Sequence, residues 1–151
     1  MQSAQSPQEY FRLLLLTVVG GAYGAAGYTL EERPAQWSGG LFRFSKALEN
    51  GLFGFIEYQL LAYSEGRPSR FRVTLIRSDH ENPTVTSQHS NYARRLLSAL
   101  VVEDFGVAIL PSADHWWQYA NVTELGAALA EAGHLVVGFG LPWLAGEISP
   151  E

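Results

Sequence analysis

Apolar and polar positions divide this chain into stretches of two different periods. Phe11, Leu14, Leu15, Val18, Val19 and Ala22 recur at helical spacing and predict a helix over about Pro7–Ala25. Ser6-Pro7-Gln8-Glu9 marks its start: a Ser cap, Pro at the first position, and Glu placed to bond back to the cap amide. Leu13, Leu16 and Thr17 extend the stripe almost all round, which predicts burial on most sides. The Gly20/Gly24 pair ends this helix, so it reads as a close approach or a frayed end; a phosphate loop would need a strand before it. Tyr28–Arg33 then reads as a short strand closed by Pro34, and Trp37-Ser38-Gly39-Gly40 as a loop.

Alternation of period two governs the next stretch. It predicts strands over about Leu41–Ala47, Leu52–Tyr63 and Arg70–Arg77, with Asn50-Gly51 as a hairpin signal and Glu65-Gly66-Arg67-Pro68 as a looser turn. Phe71, Val73 and Leu75 share one face, opposite Arg70, Arg72 and Thr74. Leu52, Ile56, Tyr58 and Leu60 share a face, opposite Phe53, Phe55, Glu57 and Gln59. Joining the apolar faces pairs Leu60 with Phe71 and Tyr58 with Val73, or a register shifted by two. A strict two-residue turn at Asn50-Gly51 would set Phe44 opposite Glu57 and cross the faces, so a bulge or longer loop is expected there.

Ser78–Ser90 is one long polar connection. A second helix is expected over about Tyr92–Val102, a strand at Gly106–Leu110, and a last strand at His115–Ala120. Asn121-Val122-Thr123-Glu124 has the form of a second capping box. Leu125, Ala128, Leu129, Ala132, Leu135, Val136 and Phe139 follow at helical spacing. Gly133 and Gly138 leave a strand at His134–Phe139 as the alternative, but the stripe keeps its phase across Gly133 and favours helix. Together these elements predict one α+β domain over residues 1–151. It is a two-layer fold: a twisted antiparallel meander of four or five strands with the N- and C-terminal helices on one face.

Composition narrows the setting. Apolar residues make up 47% and charged residues 17%, a globular rather than a disordered balance. The net charge of -5 disfavours nucleic acid and anionic membrane as partners, since both reward a basic face. The absence of cysteine removes disulfides, thiolate zinc sites and a cysteine nucleophile, which suits a cytoplasmic protein. The uncharged run Leu13–Leu30 raises a membrane span or a cleaved signal over residues 1–26, and hence export, as alternatives. Glu9, the run's glycines and the Ser6 cap favour a buried core helix.

The order of elements, with Trp116-Trp117, the cap at Asn121 and the closing Gly140-Leu141-Pro142-Trp143-Leu144, resembles a bacterial family catalogued as domain of unknown function 4304. The resemblance covers most of the chain in outline and about the last thirty residues in motif. This chain departs from it in an Ala/Gly-rich last helix and an unusually apolar first one. The resemblance implies an α+β fold and a soluble bacterial protein, and it carries over no catalytic residue.

Candidate chemistry is sparse. Asp79, His80 and Glu81 with His89 form the most enzyme-like constellation, able to hold a divalent metal or move protons, and Asp114 and His115 would join it if the last strand lies near the loop. Its spacing matches no ligand motif, and the alternative is a solvated polar loop. There is no G-x-S-x-G elbow, and no motif calls for a cofactor. Arg70, Arg72 and Arg77 can bind an anion or an acidic partner, or be neutralised by Glu57. Trp116 and Trp117 must face opposite sides of a strand, one in the core and the other covered or exposed as an anchor. Trp37 is a second possible anchor, and Phe53 and Phe55 suggest that the charged face is partly covered. Trp143 after Pro142 is expected to pin the C-terminus, with the proline ending the helix. The pattern favours a non-enzymatic binding or interaction module, with an unknown protein partner or a second copy of itself. Its binding residues would be Trp37, Phe53, Phe55, Arg70, Arg72, Trp116 and Trp117. The alternative is a metal-dependent or small-molecule enzyme built on Asp79, His80, His89 and His115.

Overall fold

The computed structural model describes residues 6–63 and 67–150. The turn expected around Glu65-Gly66 therefore lies largely outside the described residues, as does the start of any leader over residues 1–26. The fold is α+β, and its sheet is an antiparallel meander.

The first helix runs as α1 (Pro7–Leu15), a π-helical turn (Leu16–Gly20) and α2 (Gly21–Ala25). The Ser6 capping box forms, with Glu9 N–H donating to Ser6 Oγ and Ser6 N–H to Glu9 Oε1. The buried side chains are Phe11, Leu15, Val19 and Tyr23, each four residues from the last. Four residues overshoot an α-helical turn by roughly 40°, so this row would drift off the sheet. The wider π-helical turn absorbs the drift and keeps Val19 and Tyr23 facing inward. The expectation of burial on nearly all sides is corrected: Leu13 is 51% and Leu16 37% exposed. Thr17 turns its hydroxyl back onto the Leu13 carbonyl at 2.8 Å. The helix stops where Gly27 takes a φ of 94°, with Gly27 N–H donating to Gly24 and Tyr28 N–H to Tyr23.

The sheet holds β1 (Thr29–Leu30), β2 (Leu41–Ala47), β3 (Phe53–Leu61), β4 (Ser69–Ser78), β5 (Ala93–Leu96) and β6 (Trp117–Tyr119). The order is β1-β2-β3-β4-β5, and β6 pairs with β4 beyond the end of β5, so the two share one edge of β4. Of the two registers the faces allow, the strands take the unshifted one: Tyr58 opposite Val73 and Leu60 opposite Phe71. The hairpin uses the longer loop, with Asn50 and Gly51 both at positive φ, so Arg43 stands opposite Glu57 and Phe44 opposite Ile56.

Three expectations are corrected. Trp37 sits in a short helix, α3 (Pro34–Ser38), rather than a loop. Ala93–Leu96 is strand, not the start of a helix; it supplies the hydrogen-bond partner β4 lacks, and only then does the chain coil through α4 (Leu97–Ala99) and a π-helical turn (Leu100–Asp104). Gly106–Leu110 forms no strand.

The last helix is continuous over Val122–Leu144: α5 (Val122–Leu135), a π-helical turn (Val136–Gly140) and α6 (Leu141–Leu144). His134–Phe139 is helical. Asn121 accepts from Glu124 N–H as expected, while the Glu124 carboxylate reaches back to Ala120 N–H instead of its own cap. Pro142 does not end this helix. Proline withholds an N–H from the carbonyl four residues back, and the π-helical turn just before it is where such a gap is absorbed. The stop comes at Gly146, φ 76°, whose N–H donates to Trp143 while Glu147 N–H donates to Pro142. By length and composition this helix could cross a membrane. Here it buries Leu125, Leu129, Ala132 and Val136 in the same core as the first helix.

Candidate functional site

The sheet has an inner and an outer face. The inner face carries Phe42, Phe44, Ile56, Tyr58, Leu60, Phe71, Val73 and Leu75, all buried against the two long helices. Tyr23 and Tyr58 share a 2.6 Å hydroxyl–hydroxyl bond inside this layer, and burial raises both phenols above their ordinary range. Trp117 belongs here too: it is 4% exposed, stacks on Phe71 and donates its indole N–H to Glu131 Oε1 at 2.8 Å. It is therefore a core residue and not a binding anchor.

At the hairpin end of the inner face stand two cations, each spent on a helix end. Lys46 Nζ donates to the Ala26 carbonyl at 2.8 Å, and Arg77 donates to the Trp143 carbonyl at 2.9 Å and lies over its ring. Cations at helix C-termini are favoured by the dipole and satisfy carbonyls that lack partners. Arg77 thus parts company with Arg70 and Arg72: odd and even positions of β4 face opposite ways. A cavity of about 860 Å³ beside it lies between the hairpin and the C-terminal turn.

The outer face is where unsatisfied chemistry gathers. Across its middle runs a row of alternating charge. Arg33 meets Glu31 at 3.3 Å, Arg43 meets Glu31 at 3.4 Å and Glu57 at 2.7 Å, and Arg94 approaches Glu57 at 3.7 Å. Arg43 and Glu57 are 4% and 7% exposed, so this pair is desolvated on an otherwise wet face. Beside the row lies a groove of about 660 Å³, with Arg33, Arg43, Phe53, Phe55 and Pro83 among its lining. Phe55 and Ile76 are buried in the outer face, and Phe53 is half-buried. The partial cover expected over these phenylalanines is thus present, with Pro83 of the polar connection buried beside them.

At the opposite end of the outer face, Trp116 spans two guanidiniums. Arg70 and Arg72 lie 4.7 and 4.8 Å from its ring centroid. Register explains this: Gln118 stands opposite Arg70, so Trp116, two residues back on the same face, comes level with Arg72. Arg67 stacks on Tyr63 nearby at 4.0 Å. Among the described residues, no carboxylate or carbonyl accepts from Arg67, Arg70 or Arg72, and Arg70 Nε is covered without a partner. Neutralisation of this end by Glu57, the alternative reading of these arginines, is not what the side chains do: Glu57 is engaged by Arg43 and Arg94.

Trp37 is half-buried on the helix side, stacked on Phe42 with Arg12 over it, and its indole N–H is covered without a partner among the described residues. It braces α3 rather than standing out as an anchor. His80 and His89 both lie near Asp79, but His115 does not join them. Asp79 bonds Ser87, which holds its carboxyl below the usual range; His80 is exposed, and exposed His89 accepts from Asn91 N–H. His115 packs its edge on Trp117 in the other layer, and burial pulls its pKa down against the opposing charges of Glu131 and Asp114. Among the described residues no group of three or more His, Asp or Glu is placed to hold a metal.

No family model, no curated protein and no solved structure matches the chain.

Proposed function

We propose that this protein is a non-enzymatic binding module whose recognition surface is the outer face of the sheet. The observation that carries the reading is the uneven use of the two faces. Both long helices are spent on the inner face, while the outer face gathers a groove floored by phenylalanine, a desolvated charge row and the Trp116 platform. Rigid strands hold these groups in place, as recognition surfaces require. Aromatic and arginine side chains are the types that dominate binding energy at interfaces. His115 packs on Trp117, away from Asp79, His80 and His89, and lends the enzyme reading no support.

An NMR screen of small-molecule and peptide mixtures against the whole chain tests this. Perturbed amides are expected to cluster on β2, β3, β4 and Trp116. Perturbations confined to the helix layer or around His115 would defeat the proposal, and so would turnover of a bound compound.

A further inference from the structure

We infer that the Arg70–Arg72–Trp116 end of the outer face is an oxyanion site, built for the phosphate monoester group of a small molecule. The inference deepens the binding-module reading and rests on it.

The chain carries ten Lys and Arg against fifteen Asp and Glu. With acid in excess, a cation without an acidic neighbour is the exception. Arg33, Arg43, Arg94 and Arg95 sit in ion pairs, and Lys46 and Arg77 cap helix ends. Arg12 lies alone over Trp37. The remaining three are Arg70 and Arg72, on one end of the outer face, and Arg67 in the connection before β4, and no carboxylate among the described residues reaches them.

Stacking holds them in that state. An aromatic ring fixes the plane of a guanidinium through its face and leaves the terminal N–H groups free, while Arg70 Nε itself is covered. Arg70 and Arg72, two positions apart on β4, are about 7 Å apart along the strand, close enough for one anion to meet both. One indole holds both, so the two forks are organised before any ligand arrives, and little rotamer freedom is left to lose. Gln118 stands opposite Arg70 and can add a neutral donor without adding charge, whereas Gln59, opposite Arg72, donates its amide to the Gly39 and Leu60 carbonyls.

The charge selects the ligand. Two adjacent guanidiniums are matched by a group carrying close to two negative charges, as a phosphate monoester does near neutral pH. A carboxylate supplies one. The overall charge of -5 opposes long polyanions, whereas a small dianion within the local field is screened from that repulsion beyond roughly 10 Å.

The test titrates inorganic phosphate into the full chain at an ionic strength of about 0.1 M, where the 10 Å screening holds, following the Trp116 indole and the arginine Nε–H resonances. A saturable shift with a dissociation constant of about 1 mM or tighter is expected, with acetate at least roughly tenfold weaker. Arg70→Gln and Arg72→Gln should each weaken phosphate roughly tenfold, while Arg12→Gln, over Trp37 on the helix side, leaves it unchanged. Absence of a saturable shift overturns the site. So does binding that appears only in a Glu65→Ala protein, because the cations would then already be neutralised by that carboxylate. Sedimentation with phosphatidic acid vesicles separates the sources: binding to vesicles without binding to free phosphate overturns the small-molecule assignment. If phosphate fails while another compound perturbs the outer face, the phosphate assignment falls and the binding-module reading stands.

Discussion

At the scale of single residues, the Arg43–Glu57 pair shows how a charge is kept inside a sheet face. Arg43 bonds two carboxylates, and Glu57 receives a second guanidinium from Arg94. Such a pair stabilises little over a hydrophobic replacement, yet breaking it leaves one charge stranded. Arg43→Met should therefore cost about 3 kcal/mol in urea unfolding, and Arg43→Met with Glu57→Leu should recover most of that loss. A single substitution that costs under about 1 kcal/mol would mean that the pair behaves as a surface ion pair. The two partners were individually legible as polar positions on alternating strands. Their meeting was not, because it depends on the hairpin loop length that sets Arg43 opposite Glu57.

At the scale of elements, helix-to-helix contact turns on Gly133. A Cβ there would lie 2.8 Å from Val19 Cγ1, and a valine side chain has little room to turn away. Gly126, earlier in α5, meets nothing within 4 Å. Gly133→Ala is expected to destabilise by about 1–3 kcal/mol through overpacking, and Val19→Ala should relieve the clash. Gly126→Ala is expected to stabilise by roughly 0.5–1 kcal/mol through helix propensity alone. Thermal unfolding of the four proteins checks the contrast; equal effects at the two glycines would show that the helices are not in close contact. From sequence, Gly133 reads only as a weak point in a helix. Its use as a contact appears once Val19 of another helix is set against it. The same holds for Ala93–Leu96, whose strand state comes from a vacant edge of β4 rather than from its own Arg-rich composition.

At the scale of the whole molecule, buried rings tie stability to pH at both ends. Tyr23 and Tyr58 are raised by burial, and Tyr28 and Tyr119 are each pushed up to about 12. Between pH 10 and those values the unfolded chain loses phenolic protons that the native state retains, so stability falls as pH rises through that window. His115 works on the acid side. Its native pKa lies below the ordinary 6.5, so below that pH the unfolded chain binds a proton the native state refuses, and stability falls as pH drops. Urea midpoints across pH should show both limbs. Tyr58→Phe should shrink the alkaline limb and His115→Gln the acid one; a profile unchanged by either substitution would rule out these groups as the source.

The sequence by itself determined the α+β class, the meander with its shared apolar faces, the N-termini of the two long helices and the opposition of Trp116 to Trp117. These rest on local rules: caps act within four residues, and a strand turns each successive side chain to the other face. The choice of the Tyr58–Val73 register over one shifted by two came with the strand pairing. Only the tertiary structure decided that Arg77 closes a helix end while Arg70 and Arg72 share an indole. It also decided that Glu57 is taken up by Arg43 and Arg94, and that His115 stands apart from His80 and His89. Each of these depends on which distant segment supplies the neighbour, and a pattern along one chain does not encode the distance between two strands' side chains until the strands are paired.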